Sequence, residues 1–106
     1  MRFVLQISLP VEKFNQAVRD GTAAEKMRQI LEETKPEAAY FCSKDGKRGG
    51  FLIVDLSDPS EIPRFAEPWF LSFDASVEFL PTMTPQDLQR AGLDQLGKQW
   101  GVGAPD

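Results

Sequence analysis

A chain of 106 residues with 42% hydrophobic and 26% charged side chains has the make-up of one globular domain, and eight Phe and two Trp speak against disorder. A net charge of −4 argues against a nucleic-acid surface, which needs a cationic stripe. With no His and one Cys, Cys42, the chain cannot supply a His-dependent triad, a His-ligated haem, an imidazole zinc site or an internal disulfide.

Arg2-Phe3-Val4-Leu5-Gln6-Ile7-Ser8-Leu9 predicts a first strand, ended by Pro10. Phe3, Leu5, Ile7 and Leu9 share one face, and Val4, Gln6 and Ser8 the other. Residues 11–21 stay open between two readings. Val11, Phe14 and Val18 have helical spacing, and a helix continuous through Gly21 would use it. Asp20-Gly21 reads instead as a stop, leaving a loop or a short helical turn. Thr22 with Glu25 predicts a capping box, and Met27, Ile30 and Leu31 an apolar stripe, for a helix over about 22–34.

Pro36 ends that helix. Ala38-Ala39-Tyr40-Phe41-Cys42 predicts a second strand, and Lys44-Asp45-Gly46-Lys47 a hairpin turn centred on Asp-Gly. Phe51-Leu52-Ile53-Val54-Asp55-Leu56 predicts a third strand, apolar on both faces almost throughout. Helices on one side of an antiparallel sheet would leave its second face bare, so a partner subunit is the simplest cover.

Asp58, Pro59 and Glu61 suit the N-cap, first position and third position of a second helix. Ile62, Phe65, Ala66, Trp69 and Phe70 give it a clean apolar stripe, while Pro68 predicts a kink or an end near Glu67. Phe73 through Leu80 predicts a fourth strand, with Phe73, Ala75, Val77 and Phe79 inward and Asp74, Ser76 and Glu78 outward. Thr84-Pro85-Gln86-Asp87 starts a last helix, for which Leu88, Ala91 and Leu96 supply a weak apolar face. One domain is expected over 1–97, with a tail over 98–106 anchored by Trp100.

This order of patterns fits a ferredoxin-like βαββαβ sandwich, an α+β fold with an antiparallel sheet of order 4-1-3-2, plus an extra C-terminal helix. Gln6 and Ser8 should then neighbour Ser76 and Glu78 on the semi-polar face. Buried there, Glu78 would be the candidate general base, with Gln6 and Tyr40 as polar positioners; the plainer role is a hydrogen-bond network at the sheet edge. Trp69, Phe70 and Phe73 would either line an apolar pocket or pack as core, and helical spacing favours core. Asn15, Arg19 and Asp20 suit ligand contacts or caps equally. Lys44, Lys47 and Arg48 cluster at a hairpin tip, ordinarily a solvated turn, although Arg48 is also a candidate ligand contact. Cys42 has no activating neighbour in sequence and reads as an inert thiol.

Phe65-Ala66-Glu67-Pro68-Trp69, with the alternating strand ending in Pro81 and the opening strand followed by a loop holding Asn15, resembles a family of small uncharacterised dimeric α+β-barrel proteins. The resemblance covers roughly residues 1–90 and rests on packing and capping elements. At superfamily level the chain is similar to muconolactone isomerases and cofactor-independent antibiotic-biosynthesis monooxygenases. That implies a homodimer joined through its sheets, with a cleft between sheet and helices. Some such relatives use a His there, and this chain has none, so no catalytic residue carries over. Copper-chaperone domains (a Cys-x-x-Cys loop after strand 1), acylphosphatases (a glycine-rich anion loop) and RNA-binding domains fit worse.

Two functions follow as expectations. One is a non-catalytic homodimeric module for association or for binding a small apolar or aromatic molecule. The other is an isomerase or monooxygenase that works without metal or cofactor on such a molecule, with Glu78 as base and Trp69 and Phe73 as walls. No nucleic acid, membrane or cofactor is expected. A strand beginning at about Arg2 and a lone thiol favour a cytoplasmic setting.

Overall fold

Alternating apolar residues make β1, Arg2–Ser8, the strand to which the rest of the sheet is hydrogen-bonded on both sides. In the computed structural model, which describes residues 1–101 and 103, α1 (Val11–Arg19) and α2 (Ala23–Thr34) follow it. Next come β2 (Ala38–Lys44) and β3 (Lys47–Asp55), then α3 (Ile62–Phe73), β4 (Ser76–Pro81), α4 (Pro85–Arg90) and α5 (Leu93–Trp100). The four strands form one antiparallel sheet in the order β2-β3-β1-β4, which runs 4-1-3-2 when counted from the β4 edge.

Local chemistry explains most of these boundaries. Asp45 and Gly46 both adopt positive φ, 54° and 75°, between the paired residues Lys44 and Lys47. This is a two-residue turn whose twist matches that of the strands it joins. Asp58 and Glu61 form a full capping box around a 3-10 turn at Pro59–Glu61 that leads into α3. Thr84 and Asp87 do the same for α4. Each box satisfies backbone N–H groups that a helix start leaves unpaired.

The core lies between one face of the sheet and α1, α2 and α3. Leu5, Ile7, Leu9, Leu52 and Val54 come from the sheet side, and Phe14, Ala17, Ile30, Phe65, Trp69 and Phe73 from the helices. Among the described residues no helix lies on the opposite face. There Val4, Gln6, Ser8, Phe51 and Ile53 are half-buried, and Tyr40 is 69% exposed.

Several expectations are corrected. Residues 11–19 are helical, and Gly21, at φ 80°, separates α1 from α2. The buried side of α1 is Phe14 and Ala17; Val11 and Val18 point to solvent. Thr22 makes no capping box. Its backbone is helical rather than extended, and its hydroxyl donates to Asp20 Oδ1 at 2.6 Å. An N-cap acceptor needs extended backbone geometry, which Thr22 lacks.

The helix containing Pro68 neither kinks to an end nor stops at Glu67 but continues to Phe73. A mid-helix proline costs about 3 kcal/mol. Burial of large apolar side chains returns about 1.5–3 kcal/mol each, and Phe65, Trp69 and Phe73 are all buried on one stripe. The stripe therefore outweighs the proline. Phe73 belongs to this helix and not to the fourth strand, because Asp74 takes the left-handed conformation (φ 54°) and ends the helix there. The last helix is two, broken at Gly92, whose φ of 72° suits a helix C-terminus. α5 reaches Trp100, into the segment expected as tail; residues 102 and 104–106 lie outside the described residues.

α4 and α5 leave the body as an arm. The radius of gyration is 18.5 Å and the extents 67 × 30 × 19 Å, against about 13 Å for a compact chain of this length. Leu88, Leu93, Leu96 and Trp100 on the arm are exposed, Trp100 at 76%. Among the described residues no helix is long and apolar enough to cross a membrane.

Candidate functional site

Strand register places the expected residues in two different places. On the open face, Tyr40 stands opposite Phe51, Phe51 opposite Gln6, and Gln6 opposite Glu78. These four side chains form one row across all four strands. Beside it runs an apolar row, Ala38, Ile53, Val4 and Leu80, and on its other side a row of small residues, Cys42, Gly49, Ser8 and Ser76. The neighbour relations expected for Gln6, Ser8, Ser76 and Glu78 are present. Glu78 is nevertheless exposed on the edge strand β4, as Tyr40 and Cys42 are on the edge strand β2. On a single chain, water reaches all three.

Trp69 and Phe73 are elsewhere. They are 0% and 1% exposed, on the helix side of the sheet. Phe73 packs against Phe14, with ring centroids 5.1 Å apart, and against Trp69 at 6.1 Å. Both fill the core, and Tyr40 lies on the other side of the sheet from them. Phe70 is part-exposed on the outer side of α3. Trp69 Nε1 is buried with no acceptor in reach among the described residues.

Arg48 and Asn15 do meet, 33 residues apart in sequence. Arg48 Nη1 donates to Asn15 Oδ1 at 2.7 Å, and the guanidinium carbon lies 5.1 Å from the centroid of the Phe14 ring. They stand at the mouth of a cleft of about 320 Å³ lined by Leu9, Phe14, Met27, Phe41, Cys42, Ser43, Arg48 and Gly49. The cleft opens where the α1–α2 layer ends short of the edge strand β2, at the hairpin end of the sheet. Its walls are mostly apolar and its rim carries the cation. Leu9 N donates to the Arg48 carbonyl at 2.9 Å and ties the start of α1 to β3 at this point.

Gly50 makes room for the floor of the cleft, and Gly49 for the close approach of β1. At Gly50 an ideal Cβ would stand 2.8 Å from Phe41 Cδ1 and 2.9 Å from the Tyr40 carbonyl oxygen. At Gly49 it would stand 2.5 Å from the Ile7 carbonyl oxygen. Glycine inside a strand is unfavourable unless a close approach requires it. Here Phe41 occupies the space over Gly50 and floors the cleft. Sequence reasoning missed Leu9, Met27, Phe41 and Ser43 as cleft residues. The signal that would have found the place is the Gly49-Gly50 pair directly before an otherwise continuous apolar run.

Carboxylates held low by backbone and hydroxyl donors lie away from both places. Backbone and hydroxyl donors of Ser57 and the Asp58 N–H hold Glu61 below the usual carboxylate range. Thr84 does the same for Asp87 through its backbone N–H first and its hydroxyl second. These shifts belong to helix caps. Among the described residues no group of three or more His, Cys, Asp or Glu is placed to hold a metal ion.

The sequence profile of a family described as "Domain of unknown function (DUF3303)" matches residues 1–96, from β1 into the first half of α5. No curated protein matches the chain.

Proposed function

The chain belongs to the DUF3303 family, and we propose that it works as a non-catalytic homodimeric module for association and small-ligand binding. Two copies would pack sheet against sheet, in the manner of a ferredoxin-like dimeric α+β barrel. The observation that carries this reading is the open sheet face, where Val4, Phe51, Ile53 and Leu80 sit side by side with, among the described residues, no helix over them. A contiguous apolar patch of this kind is unusual on a monomer. Burying it on a second copy supplies the cover that the chain's own helices do not. A cytoplasmic setting accords with the exposed thiol of Cys42.

Light scattering at micromolar concentration tests the reading. A dimer is expected, with Ile53→Lys converting it to a folded monomer, because Ile53 is central to the patch and outside the core. A monomeric wild-type chain would overturn it.

A second reading is an isomerase or monooxygenase without cofactor. The row of Tyr40, Phe51, Gln6 and Glu78 favours it, since dimer closure would remove water from a carboxylate beside an amide, with a phenol at the far end of the same row. Once a turnover is found, Glu78→Gln should lower kcat by a hundredfold or more, the usual scale of general-base catalysis being about 10²–10⁴. Unchanged turnover would remove Glu78 from the role.

A further inference from the structure

We propose that the cleft between α1, α2 and the hairpin end of β2 and β3 binds a small amphiphilic carboxylate, its apolar part on Phe14, Met27 and Phe41 and its charge on Arg48. This rests on the ligand-binding half of the reading above and names the class of ligand.

Three observations converge. The first is the state of Arg48. Its contacts are a neutral amide, Asn15, and an aromatic face, Phe14. Among the described residues no carboxylate lies within ion-pair distance of it. A guanidinium has five N–H donors in a planar fork, and the Asn15 bond engages Nη1 alone. The remaining donors match the two oxygens of a carboxylate. Asn15 and Phe14 hold the side chain in place, so little rotamer freedom remains to be lost on binding.

The second is charge. The chain as a whole is net negative, yet the hairpin beside the cleft carries Lys44, Lys47 and Arg48 with one acid among them, Asp45. A local cationic field on an acidic protein draws anions to this rim and repels cations.

The third is the shape of the cleft. At about 320 Å³ it lies at the small end of ligand sites, enough for a single-ring molecule. Gly50 leaves β3 without a side chain where Phe41, the floor of the cleft, lies against it. The polar groups sit at the rim and the apolar groups inside, the arrangement that orients an amphiphile with its charge outward.

The test is an NMR titration of the uniformly ¹⁵N-labelled chain at neutral pH, with phenylacetate as probe and phenylacetamide as its uncharged counterpart. Phenylacetate should shift the amide signals of Phe14, Cys42, Ser43 and Gly49 in a saturable way. Phenylacetamide should bind about tenfold more weakly or worse, as charge-assisted hydrogen bonds are roughly twice as strong as neutral ones. Arg48→Gln should lose the preference. Asn15→Asp, which leaves every lining side chain intact, should abolish binding by pairing Arg48 internally. Equal binding of the two probes, or full affinity in Asn15→Asp, would overturn the carboxylate assignment and keep a general apolar site. No saturable shift with either probe would overturn the ligand-binding reading as well. Light scattering reads the dimer independently of both results.

Discussion

An ideal Cβ on Gly50 would stand 2.8 Å from Cδ1 of Phe41, so the glycine and the ring share one volume. The ring lies where the side chain of residue 50 would otherwise be. Gly50→Ala should therefore cost about 1–3 kcal/mol, the range for overpacking, measured by urea unfolding. Phe41→Ala in the same chain should recover part of that loss but not all, because the Tyr40 carbonyl stays 2.9 Å from the added carbon. Additive costs in the double-mutant cycle would contradict the shared volume.

Trp69 is fully buried with its Nε1 unpartnered among the described residues. Trp69→Ala should cost about 3–5 kcal/mol, as for other large-to-small core changes. Trp69→Phe should cost well under half of that, since it removes an unsatisfied donor as well as some volume. Equal losses in the two variants would show that the indole N–H has a partner, such as a water. The chain has two Trp, so the emission remaining in Trp69→Phe reports Trp100 on the arm. Red-shifted, solvated emission is expected from a side chain that is 76% exposed.

Acid should unfold the protein through the cap of α3. Asp58 and Glu61, at the start of α3, are both held below their ordinary values, Asp58 by the Ser60 hydroxyl and N–H and Glu61 by Ser57 and the Asp58 N–H. A depressed folded-state value means that the unfolded chain binds protons first. The stabilisation is then complete above the unfolded value, near pH 4. It is lost as pH falls through the folded value. The urea midpoint should be flat between about pH 7 and 5 and fall below about pH 4. Replacing Glu61 by Gln and Asp58 by Asn together should shrink that fall. An unchanged acid slope would place the titrating groups elsewhere.

The arm is peripheral to the fold. Removing residues 84–106 deletes α4 and α5 but no member of the buried core. The shortened chain should unfold cooperatively with stability within about 1 kcal/mol of the full chain, as for changes outside the core. A collapse of cooperativity would mean that the exposed leucines of the arm are packed in solution.

Much of the fold was legible in the sequence because its determinants are local. Alternation marks β1. Asp45-Gly46 marks the hairpin, since few other pairs accept two positive φ values. Asp58 with Glu61, and Thr84 with Asp87, mark helix starts by reciprocal hydrogen bonds three residues apart. Thr22 with Glu25 has the same spacing and no such box, because Gly21 and Asp20 set the backbone first.

What the tertiary structure decided was every matter of competition and of distance. α3 continues through Pro68, and Phe73 joins it, because burial summed over one stripe exceeds the cost of a proline, a balance that local patterns do not contain. Trp69 and Phe73 became core for the same reason. The strand order set Tyr40, Phe51, Gln6 and Glu78 in one row, although no two of them are close in sequence. Arg48 met Asn15 only because β3 runs beside β1 and α1 folds back over both. A cleft is the space that packed elements fail to fill, so its position depends on where helices end relative to strands and appears only when all of them are in place.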